Sequence, residues 1–447
     1  MGATKAGLRG ADVGGGWAGC AAAVELVHKG AQVTVFEAAR TLGGRARAVE
    51  VQGKLLDNGQ HILLGAYKET LKLMARVGVA PDAGLLRLPL QMRYPAGSGA
   101  MDFVAPRLPA PWHMVVALLR AKGLARADKL ALARFTTSAR WMRWGLNDDV
   151  PVSVLLERFD QTERLVRLLW APLCIAALNT PPERASSNVF LAVLRDSLGA
   201  SRRAASDMLV PRLDLGALFP QAAARHIEAK GGQVRLGAKV GALARTGTGW
   251  EVQLGADRQA FDAVVLATPP TQAASLLAPL GESAIVDQLA AFTYEPISTC
   301  YLQYDATLRL PLPFCALLDA PDEGRYGQFA FDRGQLDASQ AGLLAVVVSA
   351  AGAAAALDQD ALSMLIARQL AAAFALPALA APLWSRVITE KRATFACTPG
   401  LVRPANSTAL PGLFLAGDYT AGDYPATLET AVRSGTAAAR LALSPKA

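Results

Sequence analysis

Cysteine and histidine are both scarce in this 447-residue chain, and neither is clustered. The five cysteines, Cys20, Cys174, Cys300, Cys315 and Cys397, are odd in number and form no CxxC pair. That argues against a disulfide framework and a thiolate metal site, and leaves buried thiols in a reducing compartment. The four histidines are equally dispersed, so no metal is expected. Long apolar runs are missing too. The nearest, Leu343 to Leu357, is short, alanine-rich and broken by Ser349 and Gly352, which reads as a buried strand followed by a helix rather than a membrane span. No charged-then-apolar leader opens the chain, and Met1-Gly2 lacks the Ser or Thr of a myristoylation site, so a cytoplasmic location is the expectation.

Acidic residues are in deficit: 37 Asp and Glu face 45 Lys and Arg, for a net charge of +8. Much of the excess lies between residues 106 and 145, where Arg107, Arg120, Lys122, Arg126, Lys129, Arg134, Arg140 and Arg143 interleave with Trp112, Met114, Trp141, Met142 and Trp144. Cations beside tryptophans and an apolar helix suit the headgroup level of a membrane surface, here the inner face of the cytoplasmic membrane. An ordinary helical subdomain with a solvated basic face fits the same pattern, and both readings stay open. Nucleic acid is not an expected partner, because no recognition motif accompanies the charge. Apolar residues, by contrast, are abundant. At 52% hydrophobic and 18% charged, the chain has the composition of a well-filled globular protein, long enough for two or three domains.

The most informative stretch is Val13-Gly14-Gly15-Gly16-Trp17-Ala18-Gly19, followed by Val33-Thr34-Val35-Phe36-Glu37. Gly14 permits a tight turn out of a strand, Gly16 lets the backbone approach a pyrophosphate, and Gly19 lets the next helix pack closely on the sheet. Trp17 to Lys29 reads as that helix, Gly30 ends it, and Ala31 to Phe36 alternates as a short strand, completing a β-α-β unit. Glu37 then stands where a carboxylate accepts hydrogen bonds from ribose hydroxyls and repels a 2′-phosphate, which disfavours NADP. One residue disagrees. Asp12 sits in a strand that should be apolar, and an unpaired buried carboxylate is costly enough to weaken the fold or the cofactor site.

The second half of the chain returns to the same sheet. Leu215 to Lys230 reads as a helix ended by Gly231-Gly232, Gln233 to Leu236 as a strand, and Ala238-Lys239-Val240 as the start of another. The turn at residues 246–249 leads into Trp250 to Leu254 as a hairpin, and Ala263-Val264-Val265-Leu266-Ala267-Thr268-Pro269-Pro270 as a strand covered on both faces and stopped by prolines. Gly412 to Asp418 repeats the strand-then-turn layout before a helix from Thr427 to Leu443. The expected fold is therefore α/β. Segments 1–60, 205–290 and 400–447 form a Rossmann-like dinucleotide domain, and 61–204 with 291–399 an inserted α+β substrate domain whose first part is mostly helical.

The glycine loop, Leu42-Gly43-Gly44-Arg45, the Ala-Thr-Pro-Pro strand end, and Ala416-Gly417-Asp418 with Pro425-Ala426-Thr427-Leu428-Glu429 together resemble the flavin-containing amine oxidase and phytoene desaturase superfamily, of glutathione reductase/amine oxidase type. Within it, Leu56 to His61, Trp170 to Pro181, Tyr294 to Thr299, and Lys391 to Phe395 resemble the squalene-associated FAD-dependent group, the hydroxysqualene dehydroxylases of bacterial hopanoid synthesis. The resemblance implies FAD, held by Gly14, Gly16, Gly19, Glu37, Gly44, Arg45, Gly59, Gln60, Val240, Gly417, Asp418, Thr427 and Leu428. In that set Arg45 contacts phosphates, Val240 holds the adenine through its backbone, Asp418 meets the ribityl or phosphate region, and the helix from Leu428 aims its N-terminus at the flavin. The family commonly has glycine after Glu429, where this chain has Thr430, and Asp12 departs from its apolar strand. The implied reaction is hydride delivery from FADH2 to hydroxysqualene as its hydroxyl leaves as water, giving squalene. His61, Tyr294 and Glu295 are the candidate proton donors, and Leu168, Leu169, Leu173, Ile175 and Leu178 could wall an apolar tunnel or form a helical core. The alternatives are a carotenoid or phytoene-type desaturase, another flavoenzyme of the superfamily, and a non-enzymatic lipid carrier of the GDP-dissociation-inhibitor kind.

Overall fold

The computed structural model describes residues 7–247 and 249–444. The Met1-Gly2 reading and Thr248 of the expected turn lie outside the described residues. Five short runs dominated by β-branched and apolar residues, β1 (Arg9–Val13), β2 (Gln32–Glu37), β3 (Gln233–Leu236), β4 (Ala263–Leu266) and β5 (Leu413–Leu415), form one parallel sheet in the order β3-β2-β1-β4-β5. β4 is buried throughout, as its unbroken apolar run predicts for a strand covered on both faces. Central β1 pairs along its length, with Asp12 opposite Val35 on one side and Val265 on the other.

Two helices cover this sheet near the glycine loop. α1 (Trp17–His28) follows β1 and is buried from Trp17 to Val27; Gly30, at φ +84°, turns the chain into β2. α2 (Leu428–Leu443), near the far end of the chain, crosses α1 at backbone contact distance. A Cβ on Gly435 would stand 2.0 Å from the Ala18 carbonyl oxygen, so only glycine permits the crossing.

Two local expectations are corrected. The helix over 215–230 is two pieces, Leu215–Leu218 and Pro220–Ala229, because Pro220 disfavours the helical conformation at Phe219, whose φ is −149°. Ala238-Lys239-Val240 does not start a strand. The Gly237 and Ala238 N–H groups donate to the Ala39 and Glu37 carbonyls, drawing this segment across the end of β2, and strand pairing resumes only at Ala242–Thr246. That strand, Gly249–Leu254 and Asp257–Phe261 form the expected hairpin extended to three antiparallel strands.

A second, antiparallel sheet orders Phe314–Ala316, Phe329–Asp332, Leu343–Ser349, Tyr294–Gln303 and Trp384–Phe395. After Leu343–Ser349 comes a single 3-10 turn, Ala354–Ala356, and the helix begins only at Gln359–Phe374, capped by Asp358 accepting from the Ala361 N–H. The segment between residues 112 and 196 is helical around Trp170, whose ring centroid lies 4.8 Å from Phe135 and 6.2 Å from Phe190. Leu168, Leu169 and Leu178 are buried in this same core. A small sheet in which Met208–Pro211 pairs with Leu63–Leu64 and Leu85–Leu88 falls in sequence between β2 and β3.

Candidate active site

Where β1 ends, Gly14 takes φ +117°, and a Cβ there would press to 2.5 Å on the Ala267 carbonyl oxygen. Gly16 opens α1 without a side-chain cap, so the first N–H groups of the helix keep no intrahelical acceptor. Gly19 completes the loop: its absent Cβ would lie 1.9 Å from the Gly14 oxygen. The result is a bare backbone cradle with unpaired donors and the positive end of a helix, which suits a pyrophosphate. Gly43 and Gly44, at φ +109° and +61°, run alongside, with the Gly43 N–H on the Gly15 carbonyl at 2.8 Å.

Glu37 does more than the sequence indicated. Its carboxylate accepts from the Gly15 N–H and the Ala39 N–H, both at 2.7 Å, and so braces the loop while keeping further lone pairs for hydroxyl donors. Val240 is buried beside this end of the sheet, and among the described residues its N–H donates to no carbonyl, which leaves it free for an adenine edge.

Arg45 and Asp418, 373 positions apart, meet directly. Both Asp418 oxygens accept from Arg45 Nη2, at 2.6 and 2.7 Å, and Nη1 donates to the Ala393 carbonyl at 2.5 Å. Burial works to lower the Arg45 pKa, but the charge and hydrogen bonds of Asp418, together with the fields of Glu390 and Tyr294, raise it on balance. Gly417 lies under the Tyr419 ring, and its N–H donates to Ser434 Oγ at 2.9 Å. Thr427 caps α2 by accepting from the Thr430 N–H, leaving Leu428 as the first helical residue. Thr430 turns its hydroxyl back to the Pro425 carbonyl at 2.7 Å, so its extra bulk is absorbed inside the cap. Glu429, fully buried, accepts from the Thr70 N–H and hydroxyl, the Glu69 N–H and Arg433, which ties α2 to the first turn of Lys68–Arg76.

The three proton-donor candidates differ. Glu295 is buried and ion-paired with Arg184. His61 is half-buried with Nδ1 on the Gly59 carbonyl at 3.0 Å; desolvation lowers its pKa, opposed by that hydrogen bond and reinforced by Arg45. Tyr294 has a buried hydroxyl with no partner among the described residues. Burial raises its pKa, while Arg392, whose guanidinium lies 5.7 Å from the ring centroid, and Arg45 pull it down and Asp418 pushes it up. Gln60 is engaged at both ends: its Nε2 donates to the Tyr301 hydroxyl at 2.9 Å, and its Oε1 accepts from Arg333 at 3.1 Å.

Sequence reading missed Tyr419 and Asn179 as site residues. Tyr419, next to the clasp formed by Arg45 and Asp418, adds a second phenol with no partner among the described residues, and its position directly after Asp418 was the available signal. Asn179, in the left-handed region at φ 48°, donates to the Glu295 carbonyl and the Thr394 hydroxyl and accepts from the Ala350 N–H, binding the Trp170–Pro181 motif to the antiparallel sheet. Asp12 is fully buried, neither oxygen has a hydrogen-bond partner among the described residues, and burial, opposed only by the Ala23 backbone, raises its pKa well above the ordinary carboxylate value. The strand nevertheless forms in full, with a protonated carboxyl as the form burial favours.

Comparison with known proteins follows the same lines. The model of the flavin containing amine oxidoreductase family matches residues 17–443. Hydroxysqualene dehydroxylase of Sinorhizobium fredii is 30% identical, covering 97% of each chain, and that of Rhodopseudomonas palustris is 31% identical, again over 97% of each. Among solved structures, a putative protoporphyrinogen oxidase from Exiguobacterium superposes with a TM-score of 0.68 at 18% identity, covering 97% of this chain and 98% of that one, which supports the fold alone. The bare glycine cradle, with its unpaired donors and its Glu37 carboxylate, fits FAD, and the chain belongs to the flavin-containing amine oxidoreductase family, in the branch that holds the hydroxysqualene dehydroxylases.

Proposed function

We propose that this chain catalyses FAD-dependent reductive dehydroxylation of hydroxysqualene to squalene. The observation that carries the reading is similarity over nearly the whole length to hydroxysqualene dehydroxylases, joined to a cradle that fits the cofactor. FAD, when bound and reduced, supplies the hydride. The cradle residues Gly14, Gly16 and Gly19, with Glu37, Gly44, Arg45, Gly59, Gln60, Val240, Gly417, Asp418, Thr427 and Leu428, would hold it.

The chain's own tasks are to protonate the departing hydroxyl, exclude water and orient the polyene. Ionisation of an allylic alcohol leaves a delocalised cation, so a proton at the oxygen and a dry surrounding both lower the barrier. Tyr294 is the donor we favour, because its hydroxyl is protonated, buried and spent on no other bond. His61 stands second, and Glu295, whose side chain is engaged by Arg184, serves to position the strand rather than to donate. Phe292 stacks on Phe395 with centroids 5.4 Å apart and meets Tyr419 edge-on at 6.4 Å, which gives this part of the site an apolar lining. In the same reading, 1–60, 205–290 and 400–447 bind FAD, because they contribute the parallel sheet. Segments 61–204 and 291–399 bind the isoprenoid, and the enzyme sits peripherally at the inner face of the cytoplasmic membrane, where such a hydrocarbon partitions.

Anaerobic incubation of photoreduced holoprotein with hydroxysqualene tests the reaction. Flavin reoxidation and squalene formation should rise together at one equivalent each; reoxidation without squalene, or neither, sinks the proposal.

A further inference from the structure

The segment from residue 106 to 145 folds into two helices, Trp112–Arg120 and Arg126–Trp141, whose outward faces no other part of the described chain covers. On the first, Trp112, Val115 and Leu119 recur at helical spacing and are all exposed, Trp112 by 62% and Leu119 by 69%, while His113 and Ala117 face inward. Leu108, Leu130 and Trp141 extend the apolar surface, Trp141 being 85% exposed. Such a concentration of large exposed apolar side chains marks an interaction face.

Its electrostatics select the partner. Among the described residues, none of the eight cations Arg107, Arg120, Lys122, Arg126, Lys129, Arg134, Arg140 and Arg143 pairs with a carboxylate, although ion pairs are common elsewhere on the surface. The one acid of the segment, Asp128, is buried, accepting from the Ala125 N–H at 2.8 Å and the Thr162 hydroxyl at 2.6 Å. Unneutralised guanidinium groups ringing exposed tryptophan and leucine complement anionic headgroups above acyl chains.

The face is also joined to the site by continuous packing. Phe135, on the inner side of the second helix, lies against Trp170, and the helix that follows Trp170 ends at Asn179, which bonds Thr394 beside the Ala393 carbonyl that holds Arg45.

We propose that the 106–145 face docks on a bilayer containing anionic phospholipid, inserting Trp112, Val115 and Leu119, and that the substrate is received from that bilayer. Only the identity of the cargo rests on the proposed reaction; the docking does not. Co-sedimentation of FAD-loaded protein with vesicles of pure phosphatidylcholine or of phosphatidylcholine with phosphatidylglycerol provides the test. Binding to anionic vesicles is expected, with release by salt and little binding to neutral ones. Arg120→Glu with Arg126→Glu and Arg134→Glu should weaken binding at least ~100-fold, and Trp112→Ser with Leu119→Ser at least ~10-fold. Both variants should keep full FAD content and unchanged turnover of detergent-dispersed hydroxysqualene. Equal binding to neutral vesicles, no loss in either variant, or retention on RNA in place of vesicles overturns the docking. So does a dimer in solution that the Trp112→Ser, Leu119→Ser variant dissociates. Loss of turnover with vesicle binding intact would instead count against the reaction alone.

Discussion

At the scale of single residues, several side chains have meanings that burial alone assigns. Tyr294 lies in a motif of ordinary composition, yet its hydroxyl is buried within the fields of Arg45 and Asp418 and has no hydrogen-bond partner among the described residues. Removing that oxygen therefore breaks no protein contact. Tyr294→Phe should lower kcat by about 10²–10⁴-fold while leaving the flavin spectrum and FAD affinity unchanged in stopped-flow and titration measurements; unaltered kcat would return the role to His61. The buried carboxyls make a second prediction. Burial pushes Asp57 up to about 7, although the Leu215 N–H and Arg333 oppose it, and raises Asp12 as well. The folded state thus binds these protons more tightly than the unfolded one, and their stabilising contribution, complete below the ordinary carboxylate pKa, is lost as pH rises through about 7 for Asp57. Asp57→Asn keeps an acceptor for Leu215 and cannot ionise, so thermal melts from pH 4 to 8 should show a flatter profile and a higher Tm at pH 8. An unchanged slope would contradict the assignment.

At the scale of elements, close approach rather than hydrophobicity governs the site. α1 and α2 lie in contact only because Gly435 meets the Ala18 carbonyl, and Ala18 belongs to the first turn that presents N–H groups to the cofactor. A methyl group at this point meets rigid backbone, not a side chain that can swing aside. Gly435→Ala should cost ~1–3 kcal/mol and reduce FAD occupancy of the purified protein, whereas Gly352→Ala, which meets nothing, should stay within ~0.5 kcal/mol. Equal FAD content and Tm in the two variants would show that the helices have room to separate. The glycine loop, its helix and both flanking strands were readable from residue spacing, because steric rules act within a β-α-β unit of about 30 residues. The break at Phe219 was missed although Pro220 signals it locally, whereas the diversion of Ala238 across β2 depends on hydrogen bonds to Glu37 and Ala39 that no local pattern encodes.

At the scale of the whole molecule, the Arg45–Asp418 pair closes the chain on itself, with Ala393 of the antiparallel sheet as its third member. One charge-assisted contact thereby joins the glycine-loop end, the C-terminal turn and the inserted sheet. Asp418→Asn should cost ~1.5–3 kcal/mol, seen as a lower Tm and faster FAD release, with part of the Tm restored by excess FAD. A Tm and release rate equal to the parent's would mean the clasp contributes nothing. The resemblance of its motifs implied the flavin and the family, while composition and motif spacing were enough to read an α/β fold, its dinucleotide loop and an unusual basic, tryptophan-rich segment. Those features are set by backbone sterics and residue type over short separations. Packing alone decided that Arg45 and Asp418 join, that Glu295 pairs with Arg184 while the Tyr294 hydroxyl has no partner among the described residues, that Leu168 and Leu169 belong to a core, and that Trp112 and Leu119 face outward. Each of those outcomes depends on which side chains from distant segments exclude water together, and burial of that kind arises only when the sheets and helices have met.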